Sequence, residues 1–262
     1  MMSIKQIIIL LLVLYCLLLL FMYMQQHNFL FFPNSAQHRN QASEDMEDYS
    51  LNNNGIALRG WLVAPDNVTS NLLIYYGGNA EDIFYTTTEF KGYNGFASLL
   101  VNYRGYGSSE GQPSEQALFD DALAVFDDIT TRHAPKRVFL MGRSLGSGVA
   151  VHVAAKRKVS GIILVTPYDS IVNIARRHYP YLPVSLLLKH KFRSIDYAAD
   201  INCRALVIHG GKDNVIPKRN TLKLIATLEQ KEVVFIDKAG HNDIESYPEY
   251  STAISSFLTE NQ

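Results

Sequence analysis

The chain has 262 residues, 47% of them hydrophobic, and its 24 Lys and Arg against 25 Asp and Glu leave a formal charge of −1. So even a balance carries no electrostatic footprint for nucleic acid, and the length suits one large domain. Two distant cysteines, Cys16 and Cys203, supply neither a disulfide framework nor a cysteine-rich zinc site.

After a short tail at 1–6, residues 7–24 form an apolar, uncharged run long enough to span a bilayer, which predicts a transmembrane anchor. A cleaved secretory signal and a buried helix compete with that reading. The signal is disfavoured because Tyr23-Met24-Gln25-Gln26-His27 holds no small-x-small cleavage site and the run exceeds a usual signal core. Lipid attachment at Cys16 is disfavoured by the bulky Tyr15 before it. Lys5 precedes the run and the first Lys or Arg after it is Arg39, so the positive-inside bias places the amino terminus in the cytoplasm and the remainder on the extracytoplasmic, periplasmic side.

Residues 25–44 read as a juxtamembrane linker, polar from 34 onward. Within it, the aromatic Phe29-Leu30-Phe31-Phe32-Pro33 suits either an interfacial belt or a segment packed on the domain. From 45 to 262 strand-like and helix-like stretches alternate. Strands are expected at 45–52, 56–64, 71–76, 97–103, 137–141, 161–166, 205–209 and 232–236, and helices at 114–131, 145–156, 218–230 and 243–258. The first two strands flank Asn52-Asn53-Asn54-Gly55, a hairpin signal, and the βα alternation that follows predicts an α/β fold with a mostly parallel eight-stranded sheet.

The chemistry begins at Gly142-Arg143-Ser144-Leu145-Gly146, between a predicted strand and a slim helix rich in Ala, Ser and Gly. A sharp strand-to-helix turn with glycines on both sides holds a serine oxygen clear of the sheet. The pentapeptide alone is weak, since chance supplies one in roughly a tenth of such chains. A serine nucleophile also needs a base, and the base should lie just after a late strand. His241 does, in Lys238-Ala239-Gly240-His241-Asn242-Asp243, whereas His209 ends a strand and reads as structural. His27, His38, His133, His152, His178 and His190 sit in linker, helix or loop. To orient the imidazole, Asp213 follows the preceding strand in Gly210-Gly211-Lys212-Asp213, with Asp169 as runner-up; Asp243 reads as a cap of the last helix. The order Ser144, Asp213, His241 is that of α/β-hydrolases among the serine-triad folds. For the oxyanion, backbone amides of Leu145 and of Asn79, in Gly77-Gly78-Asn79-Ala80 after the third strand, are the expected donors.

These residues resemble the α/β-hydrolase superfamily, and more narrowly its membrane-anchored branch related to serine aminopeptidase-like hydrolases. The resemblance rests on Phe31-Phe32-Pro33 after the anchor, the loop from Asn102 to Gly111, the elbow, the Gly-Lys-Asp turn before Pro217, and Gly240-His241-Asn242-Asp243. Relatives carry His-Gly-Asn in the oxyanion loop; here Gly77 stands in place of the His, which predicts a looser loop. The resemblance implies helices on both sheet faces, no metal or organic cofactor, and a short lid, here 171–199. That lid holds Arg176, Arg177, Lys189, Lys191 and Arg193 and offers either a solvated basic face or a contact for anionic lipid headgroups. The expected activity is cleavage of carboxylic esters or thioesters of acyl substrates through an acyl-enzyme, with the bilayer as partner. Some relatives remove acyl chains from proteins. A non-catalytic binding module at the membrane and a peptidase are the alternatives.

Overall fold

In the computed structural model, which describes residues 2–33, 43 and 45–260, the amino-terminal helix α1 (Ile4–Leu30) is longer than the expected span. It starts early because Ser3 and Gln6 form a capping box, and it runs on through 25–30, which the sequence assigns to linker. The polar part of that linker, 34–42 and 44, lies outside the described residues.

Eight strands follow: β1 (Met46–Asn53), β2 (Ile56–Val63), β3 (Asn71–Tyr76), β4 (Ala97–Val101), β5 (Arg137–Arg143), β6 (Gly161–Val165), β7 (Arg204–Gly210) and β8 (Lys231–Ile236). They form one sheet in the order β1-β2-β4-β3-β5-β6-β7-β8. β1 and β2 make the predicted hairpin, closed by Asn54 and Gly55 with φ of 51° and 83°, the left-handed pair that a two-residue turn requires. β2 meets β4 antiparallel, and the other pairings, from β4 through β3 to β8, are parallel.

The central strands are buried on both faces, so they read as continuous apolar runs, and their period of two appears only in which layer each residue joins. Leu72, Ile74 and Tyr76 of β3 enter the core shared with α3 (Glu115–His133), α4 (Leu145–Lys156) and α8 (Lys218–Thr227). Leu73 and Tyr75 enter the opposite core, with α2 (Ile83–Phe90) and α9 (Pro248–Glu260). Helices therefore cover both faces, as the α/β reading requires.

Three differences have local causes. Helix α2 is absent from the sequence expectation because its threonines and aromatics are poor helix formers; Ile83, Thr87 and Phe90 are held by burial instead. The last helix begins at Pro248 rather than 243, with proline in the first turn where its missing N–H costs nothing, after a single 3₁₀ turn at Ile244–Ser246. The lid resolves into three short helices, α5 (Ile171–His178), α6 (Val184–Leu187) and α7 (Ile195–Ala198).

Candidate active site

Ser144 lies between the end of β5 and the start of α4, with φ 50° and ψ −117°. That backbone is strained for a residue with a Cβ, and its surroundings enforce it. A Cβ at Gly146 would stand 2.0 Å from the Tyr76 carbonyl oxygen, and one at Gly142 would stand 2.4 Å from that of Gly146. Both glycines of the pentapeptide are therefore there for close backbone approach. The Ser144 amide donates to the Val165 carbonyl at 3.0 Å, tying the elbow to β6.

The three predicted side chains come together. His241 Nε2 is 2.9 Å from Ser144 Oγ, and His241 Nδ1 is 2.7 Å from Asp213 Oδ2. The Asp213 carboxylate is fully buried, and its other oxygen accepts from the amides of Val215 and Ile216 at 2.9 and 2.8 Å, which fixes its plane. An ionised carboxylate at Nδ1 requires the proton there, leaving Nε2 as the acceptor facing the serine hydroxyl.

Asp169 and Asp243 are placed elsewhere. Asp169 is buried, and Oδ1 takes a 2.6 Å hydrogen bond from Asn220, so the runner-up acid serves the β6 end and α8. Asp243 does not cap the last helix: its carboxylate accepts from the Gly240 amide at 2.6 Å and so tightens the turn that carries His241. His209 is structural, as expected. The Thr221 hydroxyl gives its proton to the Pro167 carbonyl at 2.6 Å, so the ring's Nδ1, 3.0 Å away, must be the donor to Thr221.

Serine, histidine, Gly78, Asn79 and Leu145 line one cleft of about 450 Å³ whose apolar wall includes Leu30, Tyr168, Ile171, Ile174 and Ile216. As the first residue of α4, Leu145 has no helical carbonyl for its amide. The loop holding Asn79 is not loose despite Gly77. The Gly78 amide donates to Glu81 at 2.6 Å, and the Tyr103 hydroxyl donates to the Gly77 carbonyl at 2.9 Å. The Asn79 side chain donates from Nδ2 to the Leu30 carbonyl at 2.7 Å, while its Oδ1 accepts from the Phe32 amide at 3.1 Å and the Tyr106 hydroxyl at 2.7 Å. Thus the Asn102–Gly111 loop and the end of α1 together brace the turn that holds Asn79. Glu81, Tyr103 and Tyr106 were not singled out by sequence reasoning. Only the position of Glu81, two residues past Asn79, hinted at a carboxylate folding back on the turn.

A serine, histidine and aspartate aligned at the carboxyl ends of a mostly parallel eight-stranded sheet define an α/β-hydrolase. The chain belongs to that superfamily and, within it, to the serine aminopeptidase-like group: the family described as "Serine aminopeptidase, S33" matches residues 88–188, a span that includes Ser144. An uncharacterized protein of Mycobacterium tuberculosis is 32% identical over 253 residues, 92% of this chain and 89% of that protein. Alpha/beta hydrolase domain-containing protein 17B of Xenopus tropicalis is 30% identical over 194 residues, 72% of this chain and 66% of its own length. Among solved structures, an esterase of Pyrococcus furiosus superposes with a TM-score of 0.67 at 17% identity, covering 88% of this chain and 97% of that one. Est1E of Butyrivibrio proteoclasticus, solved with ferulic acid bound, gives 0.68 at 20% identity, covering 81% and 98%. These likenesses show a shared fold.

Proposed function

We propose that the protein is a serine hydrolase that cleaves carboxylic esters or thioesters through an acyl-enzyme and is held at a membrane by α1. The observation that carries the reaction is the unbroken relay from Ser144 Oγ through His241 to the buried Asp213, opening on an apolar cleft. Ser144 attacks the acyl carbon while Nε2 of His241 takes its proton. The amides of Leu145 and Asn79 receive the developing oxyanion, and His241 returns the proton to the leaving alcohol or thiol. Water then attacks the acyl-serine by the same route in reverse, with His241 as base, and frees the acid. The residues present call for no metal or organic cofactor.

The braced oxyanion loop favours catalysis over the binding-module alternative. A peptidase that grips a substrate amine needs a spare acid in the cleft. Among the described lining residues that acid would be Glu81, whose oxygens already accept from the Gly78 amide and from the hydroxyls of Tyr75 and Thr86.

As for location, α1 holds 27 residues, about 40 Å at 1.5 Å per residue, against a hydrocarbon core of about 30 Å. The helix meets the lid from Tyr15 onward and the domain at its carboxyl end, so on this reading the lid tip dips into the lipid and the cleft stands at the membrane surface, on the extracytoplasmic side by the charge bias. The lid meets lipid through an apolar tip, where Tyr181 and Leu186 are 88% and 86% exposed, more than through its cations. Arg193 pairs with Asp196, Arg176 bonds Ser185, and Lys189 sits 4.2 Å above the Tyr23 ring.

A fluorophosphonate probe tests the chemistry. The folded protein becomes labelled, and Ser144→Ala loses both labelling and ester turnover, the latter by about 10⁶-fold. Labelling that survives Ser144→Ala, or a folded parent chain that takes no label, refutes the reading.

A further inference from the structure

Beside the cleft lies a second, smaller groove of about 110 Å³, walled by Met22 and Phe29 of α1 and by Ala175, Leu182 and Leu187 of the lid. Leu30 and Ile171 line both spaces, so the groove abuts the Ser144 cleft and runs along α1. We propose that this groove receives the distal part of an unbranched acyl chain whose carbonyl end lies at Ser144, and that the chain enters it from the bilayer. The proposal rests on the serine-hydrolase reading and names the substrate class of that site.

Two observations argue for this occupant. First, the groove offers little for a polar ligand. Gln26, which also lines it, is 8% exposed; its Nε2 donates to the carbonyls of Tyr23 and Leu187 at 2.8 and 3.1 Å, and its Oε1 accepts from the Lys189 amide at 2.7 Å. An apolar space lined this way gains nothing from water and favours a hydrocarbon guest. Second, the lid that walls the groove lies along the apolar stretch of α1. The Tyr15 hydroxyl, midway along α1, donates to the Tyr181 carbonyl at the lid tip at 2.8 Å, so the lid follows α1 down its apolar stretch. On this proposal a substrate chain reaches Ser144 from the lipid layer between α1 on one side and the lid on the other.

The test uses the full chain in lipid nanodiscs with soluble p-nitrophenyl esters from acetyl to decanoyl. In the parent chain, kcat/KM is expected to rise about fourfold per methylene once the chain outgrows the Ser144 cleft, the equivalent of about 0.8 kcal/mol per buried methylene. Ala175→Phe fills the groove. It is expected to keep butyryl turnover within about twofold while decanoyl turnover falls at least about tenfold, and substrate partitioning into lipid cancels in the ratio of variant to parent. If Ala175→Phe loses butyryl turnover as well, Ala175→Val, a smaller filler, is read by the same ratio. A parent chain with no gain from butyryl to decanoyl, a preference for feruloyl over decanoyl, or filled variants with an unchanged decanoyl-to-butyryl ratio would overturn the proposal. Failure of the underlying reading looks different: no ester is turned over and the fluorophosphonate leaves Ser144 unlabelled.

Discussion

On the proposed reading Asn79 works through two separate parts of one residue, its backbone amide and its side chain. The residue lines the cleft beside Ser144, while its side chain binds the Leu30 carbonyl, the Phe32 amide and the Tyr106 hydroxyl. Asn79→Ala leaves the amide in place but removes what orients it. On the proposed reading kcat for a short ester falls ten- to hundredfold with KM changed by less than about threefold, because the oxyanion exists only after attack. A change confined to KM would mean that the side chain shapes the substrate site instead. Little of this was legible beforehand. Gly142, Ser144 and Gly146 announce themselves because they are adjacent in sequence and meet one steric demand. The partners of Asn79 are 47, 49 and 27 residues away, and nothing in a local window names them.

At the scale of elements, α1 and the lid are one unit. The predicted anchor ended at 24 because Gln25, Gln26, His27 and Asn28 break the apolar run, yet the helix continues to Leu30 with Gln26 stitched to the lid backbone. The polarity that looked like a linker is polarity with partners 161 and 163 residues downstream. Phe31 then plugs the core at 2% exposure, near His190 and Phe192. Gln26→Leu strands the Lys189 amide and the Leu187 carbonyl. It should weaken lid docking by about 1–3 kcal/mol, seen as faster amide exchange at 187–189 with no change in the exchange of β5 and β6. Equal exchange in variant and parent would mean that apolar contact alone holds the lid.

For the whole molecule, acid sensitivity follows from imidazoles kept neutral by burial. His152 on α4 stacks on Phe119 with ring centroids 4.0 Å apart. Burial, assisted by Lys156, lowers its pKa from 6.5 to about 4, against an opposing pull from Asp120. Between those values the unfolded chain takes up a proton that the folded chain refuses. Stability from this group is therefore complete above about pH 6.5 and is lost as pH falls toward 4. Solvent screening at the helix edge reduces the effect to about 2 kcal/mol. The buried His209 acts in the same direction. His152→Phe keeps the stack and removes the proton site, so between pH 7 and 4 its melting temperature should fall by about 4–8 °C less than the parent's. Parallel melting curves for the two proteins would show that His152 titrates normally.

By itself the sequence determined the alternation of strands and helices, the hairpin turn, the apolar run of α1, and the residues Ser144, Asp213 and His241 in hydrolase order. Each of these is written in a period, a turn chemistry or a motif a few residues long. Tertiary structure alone decided that helix α2 forms from poor helix formers, that Asp169 and Asp243 bond elsewhere, that Tyr103, Tyr106 and the end of α1 brace the turn holding Asn79, and that an apolar groove abuts the Ser144 cleft. Those outcomes depend on hydrogen bonds and burial between segments far apart in the chain, whose free energy exists only once the sheet has brought the segments together.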